Sequence, residues 1–350
     1  MSETIHRAEF LRRGAAAAAG LAAAGTLPAV ARASRLASTS VTAANLGTLN
    51  MQLNWIKNFE FAGSYIADHE GLYKHEGFSK VNLLSGGPSV TVEPLVVSGK
   101  ATMAYGVTET TAAAINKGAP LKIIGAGFQK NPLGIMSLAK NPIHTPHDLI
   151  GKKIGVQSFE QPIWESFLKI NKIAPSSLKT VPVQFDPAPL VSGQVDGFLS
   201  FITNEPVDLQ HKGIKVAFLL FADYGFDLFE QIYMVDETTL ANHRDVVTAA
   251  LRAEIRGWRR NIANPALGAK LGVDIYGKGL KLNYPTELDG NRAQIKLMVS
   301  PTTQKHGIFW MDPAEVQKVR KTLASLGSPI PTTAFTNEIL ADIYKHGTTI

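Results

Sequence analysis

The stretch Leu49-Asn50-Met51-Gln52-Leu53-Asn54-Trp55-Ile56-Lys57-Asn58-Phe59-Glu60-Phe61 decides the fold. Residues 49–53 form a short, mostly apolar run of strand length, and residues 54–60 mix amides, rings and charges as a turn does. From there Phe61, Tyr65, Ile66, Leu72 and Tyr73 recur close to a helical period over residues 61–75. A strand that passes through a turn into an amphipathic helix is the first half of a βαβ unit.

Outward from this unit the pattern repeats. Strands are expected at 81–84, 102–105, 121–128 and 135–139, with helices at 89–97 and 109–116. A helical turn at 145–149 leads into a second series, with strands at 153–156, 180–184, 197–201 and 216–221. Helices at 161–171 and 206–212 and a helical turn at 188–192 separate them. Residues 232–235 read as a strand returning to the first series, and helices follow at 244–264, 265–276, 288–298, 313–325 and 337–346. Pro265 divides the first two, because proline suits the first turn of a helix and breaks its interior. The expectation is an α/β fold of two lobes, each a mostly parallel sheet flanked by helices. Lobe 1 takes 45–137 and 232–350, lobe 2 takes 138–231, and two crossovers near 138 and 231 form a hinge.

Of the 350 residues, 45% are hydrophobic and 18% charged, enough apolar material for real cores. The chain has no cysteine, which excludes disulfides, thiolate metal sites, iron–sulfur clusters and cysteine nucleophiles. The net charge of +6 is dispersed, without the basic stripe of a nucleic-acid binder. The nine histidines are scattered; His144 and His147, and His69 and His75, lack the spacing and third ligand of a metal site. No cofactor is expected. The serines of Ser85 and Ser89 sit in no nucleophile elbow, and Gly125-Ala126-Gly127-Phe128-Gln129 is not a phosphate loop.

The first 33 residues read as an export signal. Arg12-Arg13 precede an Ala/Gly-rich stretch that runs to Gly25 and is too short to span a bilayer, and Ala31 and Ala33 offer small residues before a cleavage point after Ala33. Paired arginines before a weakly apolar segment suit the twin-arginine type, which places the mature protein in a periplasm.

Ligands of open α/β sheets sit at the carboxyl ends of strands. The turns there carry Asn54, Trp55, Asn58 and Glu60; Gly86 and Gly87; Tyr105, Thr108 and Glu109; Gln157, Glu160 and Trp164; Asn204 and Glu205; and Tyr224. Ring faces can sandwich a planar guest while amides, hydroxyls and carboxylates read its edges. Ser89 is expected to cap the helix that follows it. The acidic bias, and the lack of an arginine suited to paired bonds with an anion, favour a neutral or amino-bearing guest. Glu109, Glu160 and Glu205 equally suit first turns of helices, whose dipoles they would complement. Arg252, Arg256, Arg259 and Arg260 around Ile255 and Trp258 suit a solvated helix face or an acidic membrane surface.

The segment 53–67, with Gly71-Leu72-Tyr73-Lys74-His75-Glu76-Gly77-Phe78, Leu95-Val96-Val97-Ser98-Gly99, Asp148-Leu149-Ile150-Gly151-Lys152 and Thr203-Asn204-Glu205-Pro206, resembles solute-binding proteins of ABC importers. The resemblance is to the group related to thiamine-pyrimidine-precursor synthases, and it spans about residues 47–215. It implies a type II periplasmic-binding-protein fold and a monomer that hands a small molecule to a membrane permease without altering it. It also implies stacking by Trp55, Tyr105 and Trp164, and edge hydrogen bonds from Asn58, Glu60, Glu109, Gln157, Glu160, Asn204 and Glu205. The stretch 203–206 resembles members that take up pyrimidine precursors or riboflavin, so a planar nitrogen heterocycle is expected, with a sulfonate or nitrate as the alternative. The enzymes of the family's fungal branch use a cysteine-rich iron motif, which this chain lacks.

Overall fold

A computed structural model describes residues 45–87 and 89–348, so the expected export signal lies outside the described residues. The chain runs through β1 (Thr48–Gln52), α1 (Ala62–His69), α2 (Leu72–His75), β2 (Lys80–Leu84), α3 (Glu93–Val97), β3 (Met103–Gly106), α4 (Thr108–Asn116) and β4 (Leu121–Phe128). It continues through β5 (Leu133–Leu138), β6 (Lys153–Gln157), α5 (Gln161–Ile170), β7 (Lys179–Val183), α6 (Ala188–Val191), β8 (Gly197–Phe201), α7 (Glu205–His211) and β9 (Val216–Leu220). The last part holds β10 (Glu230–Asp236), α8 (Glu237–Asn242), α9 (Arg244–Ala263), α10 (Pro265–Leu271), α11 (Tyr284–Met298), α12 (Pro301–His306), α13 (Pro313–Ser325) and α14 (Glu338–Tyr344).

The strands form two five-stranded sheets of matching design, β2-β1-β3-β10-β4 and β7-β6-β8-β5-β9. In each, four strands are parallel and the fourth in spatial order runs against them: β10 in the first sheet, β5 in the second. Those two are the strands that the chain enters on changing sheets. This is the two-lobed α/β architecture: one continuous run of chain builds the second sheet, and β10 completes the first after the return. The first crossing lies at 129–132, ahead of the expected position near 138, because Leu133–Leu138 pairs with β8 and β9 of the second sheet. The return at 221–229 precedes β10.

Local chemistry explains the other departures. The expected helix over 61–75 breaks at Gly71, whose φ of 70° is left-handed. The helix expected from Ser89 starts only at Glu93, so Ser89 is not its cap; Pro94 occupies its first turn. Within the first lobe, α1 and α9 approach closely because both carry glycine at the contact: a Cβ on Gly63 would meet the Trp258 ring at 2.3 Å, and one on Gly257 the Gly63 carbonyl oxygen at 2.1 Å. That contact buries Tyr65, Ile66, Leu251, Ile255 and Trp258 in the first core. A second core joins Trp164, Phe167 and Phe221 to Ile123 and Ile232 of the first sheet and to Val316, Val319 and Leu323 of α13, so apolar packing continues across the crossings. Among the described residues no helix is long and apolar enough to cross a membrane.

Candidate functional site

The carboxyl ends of β1, β3, β6 and β8 and the amino ends of the two reversed strands converge on one cavity of about 340 Å³. Asn54, Trp55 and Glu60 come from the turn after β1, and Val107 and Thr110 follow β3. Gln157, Ser158 and Glu160 end or follow β6, and Ser200, Phe201, Asn204 and Glu205 end or follow β8. Leu133 and Glu230 are the first residues of β5 and β10. Both sheets therefore supply the walls, with one aromatic ring from each: Trp55 from the first and Phe201 from the second.

The charges are all of one sign. Glu60, Glu93, Glu160, Glu205 and Glu230 line the cavity, and no lysine, arginine or histidine is among the described residues that do. Glu60 is 2% exposed; its Oε1 accepts from Asn58 Nδ2 at 3.0 Å and, across the cleft, from Asn204 Nδ2 at 2.5 Å. Burial pushes the Glu60 carboxyl up, against the pull of those amide donors. Burial likewise drives Glu205 up to about 8. It holds Glu160 well above the ordinary carboxylate range, with further repulsion from Glu205, Glu109 and Glu60. Glu230 is raised well above its ordinary value by burial and by Glu109, although Asn131 Nδ2 donates to its Oε2 at 3.3 Å.

Acceptors outnumber donors. Asn54 Oδ1, Gln157 Oε1, Ser200 Oγ, Glu205 Oε2 and Glu230 Oε1 are buried lining atoms without a hydrogen-bond partner. An unmet buried polar atom is costly, and four of these five are carbonyl or carboxyl oxygens, which suit a guest that brings donors. The backbone is forced beside them: Gln231 is fully buried with a φ of 49°, a left-handed conformation rare for a residue with a side chain, and its Nε2 donates to the Glu60 carbonyl at 3.1 Å. One flank of the cleft is shut. Asp289 on α11 meets His211 of α7 at 3.0 Å, and a Cβ on Gly290 would meet the Thr203 carbonyl oxygen at 2.9 Å.

Of the residues expected at the site, Asn54, Trp55, Glu60, Gly87, Gln157, Glu160, Asn204 and Glu205 line this cavity. Asn58 stands behind it, donating to Glu60 Oε1 while its Oδ1 accepts from the Glu60 backbone N–H at 3.1 Å. Gly86 supports the wall from outside: a Cβ there would meet the Leu53 carbonyl oxygen at 2.4 Å. Thr108 is buried, with its hydroxyl on the Phe229 carbonyl at 2.6 Å, and Glu109 faces a neighbouring cavity.

Three aromatic expectations are corrected. Tyr105 points into the first core, where its hydroxyl meets those of Ser64 and Tyr233 and the Glu254 carboxylate, and accepts from Trp258 Nε1. Trp164 shares the buried face of α5 with Ile163, Phe167 and Leu168, and its Nε1 donates to Thr180 Oγ1 at 3.0 Å. The Tyr224 hydroxyl is spent on the His144 carbonyl at 3.0 Å. Glu93, Ser200, Phe201 and Glu230 also line the cavity and are not among the expected residues. Phe201 and Ser200 close a strand whose carboxyl end was already placed at the cleft, so strand polarity could have found them; Glu230 opens a reversed strand, which that rule does not cover.

Two sheets of this design, facing each other across a cavity at their strand ends, define a two-lobed periplasmic-binding-protein fold. The NMT1/THI5 like family matches residues 58–267, and the chain belongs to that family. It is 24% identical over 310 residues to the riboflavin-binding protein RibY of Chloroflexus aurantiacus, covering 84% of this chain and 86% of that one. It is 24% identical over 276 residues to the formylaminopyrimidine-binding protein of Halalkalibacterium halodurans, covering 77% and 82%. A 4-amino-5-hydroxymethyl-2-methylpyrimidine phosphate synthase of Legionella pneumophila is 29% identical over 217 residues, covering 60% and 67%. Among solved structures, the alkanesulfonate-binding protein SsuA of Xanthomonas axonopodis pv. citri bound to MOPS aligns with a TM-score of 0.63 at 14% identity, over 84% of this chain and 99% of that one.

Proposed function

We propose that this chain is the extracytoplasmic binding component of an importer and grips a planar nitrogen heterocycle, neutral or cationic and rich in hydrogen-bond donors, between its two lobes. The carrying observation is the cavity whose lining is acidic and acceptor-rich, with one ring from each lobe and no basic residue among the described lining. A sulfonate or nitrate would meet carboxyl groups where it needs cations, and no described lining residue can pair with its charge. Trp55 and Phe201 cover ring faces, worth about 25 cal/mol per Å² of apolar area removed from water. Edge bonds to the carboxylates contribute roughly 1.5–3 kcal/mol each. After the ordering costs of association, a dissociation constant near or below about 1 μM is expected.

The names of the riboflavin- and formylaminopyrimidine-binding relatives support the same class of guest. Export through residues 1–33, a periplasmic location, a monomeric state and delivery to an ABC permease without turnover belong to this reading. The test is a thermal-shift and calorimetric panel on the protein without residues 1–33. Riboflavin and 4-amino-5-hydroxymethyl-2-methylpyrimidine are expected to raise Tm, and taurine, an alkanesulfonate and nitrate to leave it unchanged. A shift with the anions alone overturns the reading; chemical conversion of a bound heterocycle would make the protein an enzyme like the synthase-named relative.

A further inference from the structure

Helix α11 supplies none of the cavity lining, yet its buried face is polar: Glu287, Asn291 and Gln294, with Gly290 among them. Residues spaced by three, four and seven share one face of a helix. Buried amides and carboxyls are costly without partners, so this stripe is explained by what it holds. Asn291 exchanges hydrogen bonds with Asn261 of α9 at 2.8 Å in both directions and donates to the Pro265 carbonyl at 2.8 Å, which fixes α11 on the first lobe. The other two hold a single residue of the turn after β1. Glu287 Oε2 accepts from the Phe59 N–H at 2.7 Å, and Gln294 Nε2 donates to the Phe59 carbonyl at 2.8 Å. The next residue is Glu60, whose carboxyl accepts from Asn204 across the cleft.

Gly290 meets both sides of the cleft. A Cβ on it would come within 2.5 Å of the Phe59 ring and 2.9 Å of the Thr203 carbonyl oxygen. Glycine weakens a helix interior relative to alanine, so clearance and not propensity accounts for it at this point of contact. Asp289 beside it reaches His211 of α7. One turn of α11 therefore touches the residue before Glu60 in one lobe and the residue before Asn204 in the other. We infer that α11 is the spacer that sets the width of the cleft: Glu287 and Gln294 are positioning residues for Glu60, and Gly290 fixes how closely the 203–205 turn approaches it. The inference rests on the cleft as the binding site and places determinants of affinity outside the cavity.

The experiment reads cleft geometry and affinity separately. Because the chain has no cysteine, Lys100→Cys and Gln194→Cys, exposed positions in the loops before β3 and β8, carry one spin label on each lobe. In Gly290→Ala without guest, the distribution of label distances is expected to shift away from that of the parent, and further in Gly290→Val. Calorimetry with riboflavin and with 4-amino-5-hydroxymethyl-2-methylpyrimidine follows binding. Gly290→Ala and Glu287→Met are each expected to bind about tenfold more weakly or worse, the scale of one misplaced hydrogen bond to a charged group. Burial pushes Glu287 up to about 8 while the Phe59 N–H pulls it down, so the neutral amide of Glu287→Gln is a close stand-in and should restore affinity to within about threefold of the parent. Label distances that match the parent in both Gly290 variants overturn the spacer. A Glu287→Met protein that loses Tm but keeps its affinity, or a Glu287→Gln protein that binds as weakly as Glu287→Met, overturns the positioning role. If neither ring binds the parent, the heterocycle reading falls, and the label distances still decide the spacer.

Discussion

The buried carboxylate of Glu254 in the first core and those of Glu205 and Glu230 in the cleft differ in how far they are satisfied. Glu254 on α9 is fully buried, yet Ser64, Tyr73, Tyr105 and Tyr233 all turn hydroxyls towards it, at 2.8–3.0 Å for Ser64, Tyr105 and Tyr233. Burial raises its carboxyl and four hydroxyl donors lower it. In the cleft, Glu205 and Glu230 each keep one buried oxygen without a donor. The residue type and the burial are alike; the supply of donors differs. A closed network locks a core, whereas an open one waits for donors from elsewhere.

That contrast breaks first at Glu254. Glu254→Ala leaves up to four buried hydroxyls without their acceptor, and the loss is expected to reach about 3 kcal/mol or more. For a chain of this size that lowers Tm by roughly 4–5 °C or more. Affinity in the folded fraction should stay within about twofold, because no edge of the guest meets this network. A large affinity loss with a small drop in Tm would place Glu254 in the site and erase the distinction.

The cleft carboxylates are expected to behave in the opposite sense. Glu230→Gln and Glu205→Gln each replace a carboxyl that a cationic guest can ionise with an amide that it cannot, and each should cost about 1.5–3 kcal/mol of binding, roughly 10–150-fold in the dissociation constant. Tm without guest should hold or rise, since the ionised form of each is the one that burial penalises. Calorimetry paired with unfolding curves separates the two effects. Destabilisation with intact affinity would move these residues into the structural group.

Trp55 and Trp164 repeat the comparison with rings. Trp55→Ala should weaken binding by about an order of magnitude, the scale of a lost aromatic contact, and leave the fold intact. Trp164→Ala empties a site between Phe167 and Phe221 and should act on stability alone. In the sequence the two looked alike, each beside a strand-to-helix turn. Trp55 lies in the turn itself, where the chain has no apolar periodicity to satisfy. Trp164 is already inside α5, where Ile163, Phe167 and Leu168 mark a buried face that claims it.

The same division explains what was legible. Strand and helix order follow from periodicity, and the acidic turn residues follow from strand polarity, so the polar turns that line the cavity could be anticipated. Tyr105 could not, because residue parity within a strand chooses a face, and only the partner hydroxyls of α1 and β10 and the α9 carboxylate show which face is the core. The crossing near 129–132 also escaped, since β5 reads as one more apolar strand and its reversal depends on pairing with β8, more than sixty residues later in the chain. Glu230 was lost with it, as the first residue of the other reversed strand.

The open carboxylates also carry a pH dependence. In the folded protein without guest, burial lifts Glu205 from an ordinary value of 4.5 up to about 8. A group raised on folding contributes stability that is fully present below its unfolded value and is lost as pH rises through the folded one. The guest-free protein should therefore lose stability between about pH 5 and 8 on account of Glu205, at a slope of at most about 1.4 kcal/mol per pH unit for one proton. Glu205→Gln should flatten that part of the profile, read as the difference between variant and parent in urea unfolding. A cationic guest prefers the ionised carboxylate, so its affinity should climb across the same window and release a proton on binding, detectable by calorimetry in buffers of different ionisation enthalpy. A neutral guest should show a weaker climb. Identical profiles for parent and variant would mean that Glu205 is already ionised at neutral pH, with a donor that the cavity's own residues do not supply.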